Sequence, residues 1–320
     1  MGGRLAKSAA HRCNMKVLIT ANSFASCDDA PARRLEEAGF EITRNPYGRL
    51  LTEDELIELC HDKDAVILST DSFTKRVIEN CPGLKVVSRY GVGVDNVDRE
   101  ALRRAGIPLE ITKNANSDSV ADHAIGLMLA LTHHISVCSE LYRKGEFKKL
   151  RGRDLAGSTV GIIGLGAVGK RVAERVVGGF GCRVLANDVF YDETFIDRYE
   201  IITTDVDTIF RESDYVSLHL PSLSEYKGFV NREKLQLMKP DAVLINTARS
   251  ELVDKDALLS ALKEGRLGGY GADVSYREPY VDREFCAFDN VVITPHNAAV
   301  TVEAINKMSM ISVDNVLKYF

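Results

Sequence analysis

The chain is short of several things that would have directed attention elsewhere. It has no excess of positive charge: 41 Lys and Arg stand against 46 Asp and Glu, a formal net charge of −5. That balance gives no electrostatic reason to expect nucleic acid or an anionic membrane surface as a partner. No apolar run approaches the ~20 residues of a membrane span. The seven cysteines, Cys13, Cys27, Cys60, Cys81, Cys138, Cys182 and Cys286, are scattered, odd in number and never spaced C-x-x-C. Neither a zinc site nor a disulfide framework is therefore expected, no residue is assigned to a metal, and a reducing cytoplasm is the natural compartment. The opening residues 1–14, MGGRLAKSAAHRCN, lack the apolar centre of a secretory signal and are read as a disordered leader.

What is present is globular. With 45% hydrophobic and 27% charged residues over a length of 320, the chain can bury two substantial cores.

The stretch that organises the rest is TVGIIGLGAVGKRVAERVVGGFGCRVLAND, residues 159–188. Val160, Ile162 and Ile163 form the dense β-branched run of a strand buried on both faces. Gly164, Gly166 and Gly169 then fall at G-x-G-x-x-G spacing, and a helical pattern follows from about Ala167. Each glycine meets a separate need, with the tight turn at Gly164, close approach of a pyrophosphate at Gly166 and close helix–strand packing at Gly169. The helix start would turn free N–H groups and a positive dipole end towards the phosphates. A second strand over Arg183 to Ala186 ends at Asp188, about 20 residues past the last glycine, which is where the dinucleotide fold places its ribose-binding acid. There a carboxylate can accept from the adenosine ribose hydroxyls and repel a 2′-phosphate, which favours NAD over NADP, although Asn187 beside it could soften that choice.

The remaining chain alternates strand and helix. Before the glycine loop, strands are read at 15–20, 40–43, 65–68, 85–88 and 107–111, with helices over 30–38, 53–60, 75–80 and 99–105. Between them Arg89-Tyr90-Gly91-Val92-Gly93 is open to two readings, an anion nest suited to a substrate carboxylate or a plain strand-to-helix turn. Ser117 to Tyr142 reads as one long helix, with Val120, Ala124, Leu127, Met128, Leu131, Ile135 and Val137 on its apolar stripe. His123, His133 and His134 ride on it and are taken as solvated or packed helix histidines, since no acid partner or motif attends them. After the loop, strands are read at 201–203, 215–219, 242–246, 268–274 and 291–294, with helices over 206–212, 232–238 and 255–264. Such regular alternation means a parallel, doubly wound α/β sheet, in which ligands sit at the carboxyl ends of the strands.

That rule isolates His219, Thr247, Arg249, Asp273, Glu278 and His296. Hydride chemistry on a hydroxy acid needs an acid/base near neutrality, a fixed cation for the carboxylate, and a group that tunes the base. His296 suits the first role, Arg249 with its bidentate fork the second, and Glu278 the third, by accepting the other ring proton of His296.

At this point the sequence resembles the D-isomer-specific 2-hydroxyacid dehydrogenases, particularly the phosphoglycerate dehydrogenase branch. The resemblance rests on SRYGVGVDNVD (88–98), NANSDSVADHAIGLMLAL (114–131), VGIIGLGAVG (160–169), SLHLP (217–221), NTARSELVDKDALLSAL (246–262), ADVSYREP (272–279) and PHNAAVT (295–301). It implies a Rossmann-type NAD domain over 117–297 and a flavodoxin-like substrate domain over 15–116 and 298–320, closed by a returning helix at about Thr301 to Phe320. It implies Arg249, Glu278 and His296 as the catalytic trio. The cofactor contacts it implies are Gly164, Gly166, Ala167, Val168, Gly169, Asp188, Leu220, Thr247, Ala248 and Asp273, with Val92, Gly93 and Arg249 on the substrate. The partners it implies are a small 2-hydroxy or 2-keto acid and a second copy of the chain in a homodimer. The departures are Val92, where several relatives have threonine, the run Gly178-Gly179, one residue longer than usual and read as a local loop change, Asn297, where an apolar residue is common, and the absence of a regulatory domain after the last helix. For the substrate, 3-phosphoglycerate is placed first, with Arg44, Arg49, Lys75 and Arg89 as candidate phosphate cations, and glyoxylate or hydroxypyruvate second. An NAD-sensing binding protein is the remote alternative.

Overall fold

The short β-branched runs and the amphipathic stretches between them resolve into two parallel sheets in the computed structural model, which describes residues 15–320. The expected leader over 1–14 lies outside the described residues. Contacts divide the chain into two units, one made of the described residues up to Asn116 together with Val300–Phe320, the other of Ser117–Ala299.

The first unit runs β1 (Met15–Ile19), α1 (Ala30–Glu37), β2 (Phe40–Arg44), α2 (Glu53–Cys60), β3 (Ala65–Leu68), α3 (Lys75–Glu79), β4 (Val86–Arg89), α4 (Arg99–Ala105) and β5 (Leu109–Ile111). Its parallel strands take the order β2-β1-β3-β4-β5, the flavodoxin-like arrangement. All of β3 and β4 is buried, as strands covered on both faces must be. Helix α2 starts at a capping box, in which the Thr52 hydroxyl accepts from Glu55 N–H while the Glu55 carboxylate accepts from Thr52 N–H.

The second unit begins with α5 (Ser117–Thr132) and α6 (Ile135–Arg143). The single helix expected from Ser117 to Tyr142 is thus two, bent by 62° at the His133-His134 step. His134 takes φ +52°, and its Nε2 meets the Arg151 carbonyl oxygen at 3.1 Å. The break falls where burial ends: α5 packs on α-helical and strand neighbours through a face that is buried to Leu131, whereas α6 buries no residue. Ile135, on the expected stripe, is 53% exposed. Among the described residues no single helix is long and apolar enough to cross a membrane.

The chain continues through β6 (Thr159–Ile163), α7 (Ala167–Phe180), β7 (Arg183–Asn187), α8 (Glu193–Tyr199), β8 (Ile202–Thr203), α9 (Val206–Glu212), β9 (Tyr215–Leu218), α10 (Arg232–Leu237), β10 (Val243–Asn246), α11 (Lys255–Lys263), β11 (Gly269–Ala272) and β12 (Val291–Ile293). The sheet order is β12-β11-β10-β9-β6-β7-β8, all parallel, which turns direction between β6 and β9. Helix α8, capped by Asp192, was not anticipated, because its pattern is too short to stand out. Apolar clusters cover both faces of this sheet, one around Phe210, Leu244 and Tyr270, the other around Met128, Val172 and Ile245.

The last helix, α12 (Val302–Leu317), returns to the first unit and packs against α1, β3, β4 and β5. Tyr90 Oη donates to Ile305 O at 3.1 Å, and Asn315 Nδ2 donates to Ile111 O at 3.2 Å. The second crossing falls between Ala299 and Val300, slightly beyond the expected 297/298 boundary. The reason is local: Asp273 holds the N–H groups of Asn297 and Ala298, so both residues stay with the second unit.

Candidate active site

The three glycines after β6 are needed in three different ways. Gly164 has φ +96°, and a Cβ there would lie 2.8 Å from His219 O. At Gly169 a Cβ would sit 2.1 Å from Gly164 O, so helix and strand touch through it. At Gly166 an added Cβ meets no atom within 4 Å, and Gly166 and Ala167 face solvent. Here the backbone is bare, which leaves room for a group from outside the chain to come close. Gly166 is also the N-cap of the 14-residue α7 and offers no capping side chain, so the first-turn N–H groups remain to be satisfied.

At the end of β7 the Asp188 carboxylate accepts from Leu165 N–H at 2.5 Å and from Val189 N–H at 2.6 Å. It therefore stands directly beside the glycine loop. Asn187 Nδ2 is committed to Thr204 O at 2.8 Å, which ties that side chain into the scaffold. Beyond β10, Thr247 Oγ1 is buried and has no hydrogen-bond partner among the described residues, an orphan that a bound group would satisfy. Val168, Leu220 and Ala248 are half-buried nearby in the fold and pack against the two cores. Bare glycine, free helix start, acid at the second strand and an orphaned hydroxyl together fit a dinucleotide.

His219, one of the strand-end candidates, drops out as a proton donor. Desolvation lowers its pKa to about 4, and its Nε2 meets Ser217 Oγ at 2.9 Å, so it is neutral near pH 7.

The other candidates follow three strands adjacent in the sheet, β10, β11 and β12. Arg249 sits at the end of a turn closed by the buried Asn246, whose Nδ2 donates to Arg249 O at 2.8 Å and whose Oδ1 accepts from Ala248 N–H at 3.1 Å. Glu278 and His296 meet directly, with Nδ1 and Oε2 at 3.0 Å. Glu278 Oε1 accepts from Ser275 N–H at 3.1 Å. Burial alone would raise the Glu278 pKa. The His296 hydrogen bond and charge, the Ser275 N–H and the Arg249 charge outweigh it and hold the carboxyl below its ordinary range. His296 has φ +54°, a left-handed backbone that a residue with a Cβ adopts only when its surroundings impose it. The imposing group is Asp273, 2% exposed, which accepts from Asn297 N–H and Ala298 N–H, each at 2.7 Å, and from Thr294 Oγ1 at 2.6 Å.

Two residues here escaped sequence reasoning. Asn246 is the single amide closing an apolar strand, a signal visible in the sequence that strand-end chemistry did not single out. His123 lies 2.8 Å from Thr294 Oγ1 and 3.6 Å from Asp273 Oδ1, so it has the acid partner that its sequence context had seemed to deny it. Among the described residues no group of three His, Cys, Asp or Glu could hold a metal.

In the first unit, Gly91 takes φ +137°, Val92 is 44% exposed, and the N–H groups of Val92 and Gly93 make no hydrogen bond among the described residues. That state suits the nest reading. The four cations considered for a phosphate are engaged elsewhere. Arg44 Nη1 donates to Phe24 O at 3.0 Å, Arg49 clasps Glu55 through two bonds of 2.8 and 2.7 Å, and Lys75 pairs with Glu79 at 3.5 Å. Arg89 is buried and donates to Tyr90 O.

Comparison with known proteins agrees with this anatomy. Residues 125–298 match the model of the D-isomer specific 2-hydroxyacid dehydrogenase NAD binding domain. A glyoxylate reductase of Pyrococcus furiosus is 35% identical over 88% of this chain and 87% of its own. A D-3-phosphoglycerate dehydrogenase of Methanocaldococcus jannaschii is 36% identical over 79% of this chain but only 49% of its own. The crystal structure of the TT0316 protein from Thermus thermophilus superposes with a TM-score of 0.86 at 33% identity, covering 95% of this chain and 96% of that one. The chain belongs to the D-isomer specific 2-hydroxyacid dehydrogenase family. Within it, the protein is an NAD-dependent enzyme that interconverts 2-hydroxy and 2-keto acids.

Proposed function

We propose that the enzyme reduces a short, unphosphorylated 2-keto acid of the glyoxylate or hydroxypyruvate class, with the second unit binding NAD and the first binding substrate. The observation that carries the chemistry is the His296–Glu278 pair at 3.0 Å. When bound, NADH supplies the hydride. Because Nδ1 of His296 faces Glu278, Nε2 is the ring atom left to give its proton to the keto oxygen, and the anionic Glu278 stabilises the imidazolium that does so. Arg249 binds the substrate carboxylate as a fixed cation and polarises the carbonyl. The bare N–H groups of Val92 and Gly93 take up carboxylate as well. Gly166, Ala167 and Val168 present backbone to the pyrophosphate, Asp188 takes the ribose, and Thr247 Oγ1 gains its missing partner.

Phosphoglycerate dehydrogenase, the first expectation from sequence, is now the second reading. Arg44, Arg49, Lys75 and Arg89 already have partners, and a phosphate site built on them would have to break those pairs first. Relatives matched along most of both lengths carry glyoxylate reductase and hydroxypyruvate reductase names, whereas the phosphoglycerate dehydrogenase relative matches over 49% of its own length. NADH oxidation at 340 nm with glyoxylate, hydroxypyruvate, pyruvate and 3-phosphohydroxypyruvate decides: a kcat/KM at least tenfold higher for the phosphorylated acid would overturn the proposed order. A homodimer in a reducing cytoplasm completes the proposal. Ile135, Tyr142 and Phe147, 53%, 73% and 86% exposed on and after α6, are apolar surface that a second copy would cover. Sedimentation velocity giving a monomer at micromolar concentration would remove that part.

A further inference from the structure

We infer that His123 is a positioning residue for His296, acting through Thr294 and Asp273. The inference rests on the reading of His296 as the proton donor.

The hydrogen-bond chain has a direction that the donor inventory fixes. Thr294 has one hydroxyl proton, and both acceptors within its reach, Asp273 Oδ1 at 2.6 Å and Ala272 O at 3.3 Å, can only accept it, the shorter contact holding it. Thr294 Oγ1 is therefore the acceptor towards His123 Nε2 at 2.8 Å, which places a proton on that nitrogen. Asp273 in turn accepts from Asn297 N–H and Ala298 N–H. Those two N–H groups belong to the residues immediately after His296, whose backbone sits at φ +54°. The order of constraint thus runs from α5 through His123, Thr294 and Asp273 to the backbone that aims the His296 ring. A donor on a long helix fixes the hydroxyl, the hydroxyl fixes one carboxylate oxygen, and the carboxylate holds a conformation the loop would otherwise leave. His123 Nε2 is also 3.6 Å from Asp273 Oδ1, so the same ring nitrogen lies close to the buried carboxyl. Of the charged groups, His123 faces Asp273, while His296 faces Glu278 with the Arg249 charge behind it. A histidine that only filled space on α5 would need neither contact.

The test compares wild type with His123→Leu and His123→Gln in the full chain. Glutamine can return an N–H near the Nε2 position; leucine cannot. In His123→Leu we expect kcat to fall on the order of tenfold while KM for NADH stays within twofold, and the pH profile of kcat to move with the titration midpoint of the His296 ring, followed by NMR on ¹³C-labelled histidine and assigned with His296→Ala. His123→Gln should restore most of both. A His123→Leu enzyme with wild-type kcat, pH profile and His296 midpoint would overturn the inference. If His123→Leu does not fold, Thr294→Val and Thr294→Ser carry the same comparison: valine should reproduce the loss, serine should reverse it, and a fully active valine variant would again overturn it. Failure of the underlying reading looks different: His296→Ala would keep near-wild-type turnover, while the NMR midpoint would still report whether His123 couples to His296.

Discussion

Alanine at Gly166 and alanine at Gly169 should damage the protein in opposite ways, although the two glycines share one loop. At Gly169 the new Cβ would lie 2.1 Å from Gly164 O, where ordinary contact begins at 3.4 Å, and the obstacle is backbone that cannot swing aside. Helix α7 must lift from β6 or the Gly164 turn must rearrange, an overpacking that costs about 1–3 kcal/mol. The second unit, Ser117–Ala299, is a domain of ordinary size. In that size class each kcal/mol moves Tm by roughly 2–4 °C, so Gly169→Ala should melt roughly 2–12 °C lower. At Gly166 the same Cβ meets nothing within 4 Å, and φ −75° is open to any residue. The fold should lose at most about 1 kcal/mol, from a poorer N-cap. The methyl group stands where the pyrophosphate must come, so NADH affinity should fall on the order of 10- to 100-fold, about 1.4–2.7 kcal/mol. Differential scanning calorimetry and titration of NADH fluorescence separate the two effects. A folded Gly166→Ala protein that binds NADH as wild type does would show that the pyrophosphate lies elsewhere. A Gly169→Ala protein with unchanged Tm would refute the packing argument.

Removing the trio should stop chemistry and leave the fold. His296→Ala and Arg249→Ala are expected to lower kcat by about 10²–10⁴ with Tm within a few degrees, read by NADH oxidation and calorimetry; near-wild-type kcat in either would undo the assignment. Glu278 has a folded pKa below its ordinary value, so its ion pair contributes stability above the unfolded carboxyl pKa of ~4.3 and loses it as pH falls further. The Tm advantage of wild type over Glu278→Gln should therefore persist at pH 5–6 and shrink below pH ~4, and an advantage that grew on acidification would contradict the sign. Asp273→Asn must turn an NH₂ group towards one of three donors, Thr294 Oγ1, Asn297 N–H or Ala298 N–H. With charge-assisted bonds lost and a buried donor unpaired, about 3–5 kcal/mol should go, visible as a lower urea midpoint, and an unchanged midpoint would show that the loop is held by something else.

The fold was legible because parallel strands covered on both faces are written as unbroken apolar runs, such as AVIL at β3 and the VLI of β10, with helical periods between them. The glycine loop was legible for the same reason in miniature, since each glycine answers a local backbone demand. What escaped depended on neighbours distant in sequence. The stripe on α5 runs on past Thr132 as letters, but only packing neighbours decide where a stripe can be buried, and beyond the bend at His134 α6 buries none of its residues. His123 read as a bland helix histidine because its partners, Asp273 and Thr294, lie at the far end of the second unit's chain, beyond the whole of the glycine loop and the strands that follow it. Arg249, Glu278 and His296 were proposed as a trio from strand ends and chemistry, and the expected contact of Glu278 with His296 is there at 3.0 Å, while the engagement of Arg44, Arg49, Lys75 and Arg89 could be seen only once side chains had partners.

The way the trio is assembled explains why those strand-end polar residues are buried. Arg249 follows β10, Glu278 follows β11 and His296 follows β12, and these strands are neighbours in the sheet. At ~4.8 Å per strand spacing, the ends of these three strands lie within about 10 Å of one another, so three groups far apart in the chain start from neighbouring positions. The cost of the arrangement is that each group leaves its strand on an irregular turn, which by itself would wander. Asn246 closes the turn to Arg249, and Asp273 pins the turn that bears His296, each from a fully covered position at the last residue of its strand or just past it. Buried polar groups are expensive unless satisfied, and here they are satisfied by the backbone of the functional turns themselves. Rigidity of the sheet is thereby passed to the side chains proposed to react, so a change at Asn246 or Asp273 should misplace them as well as cost stability.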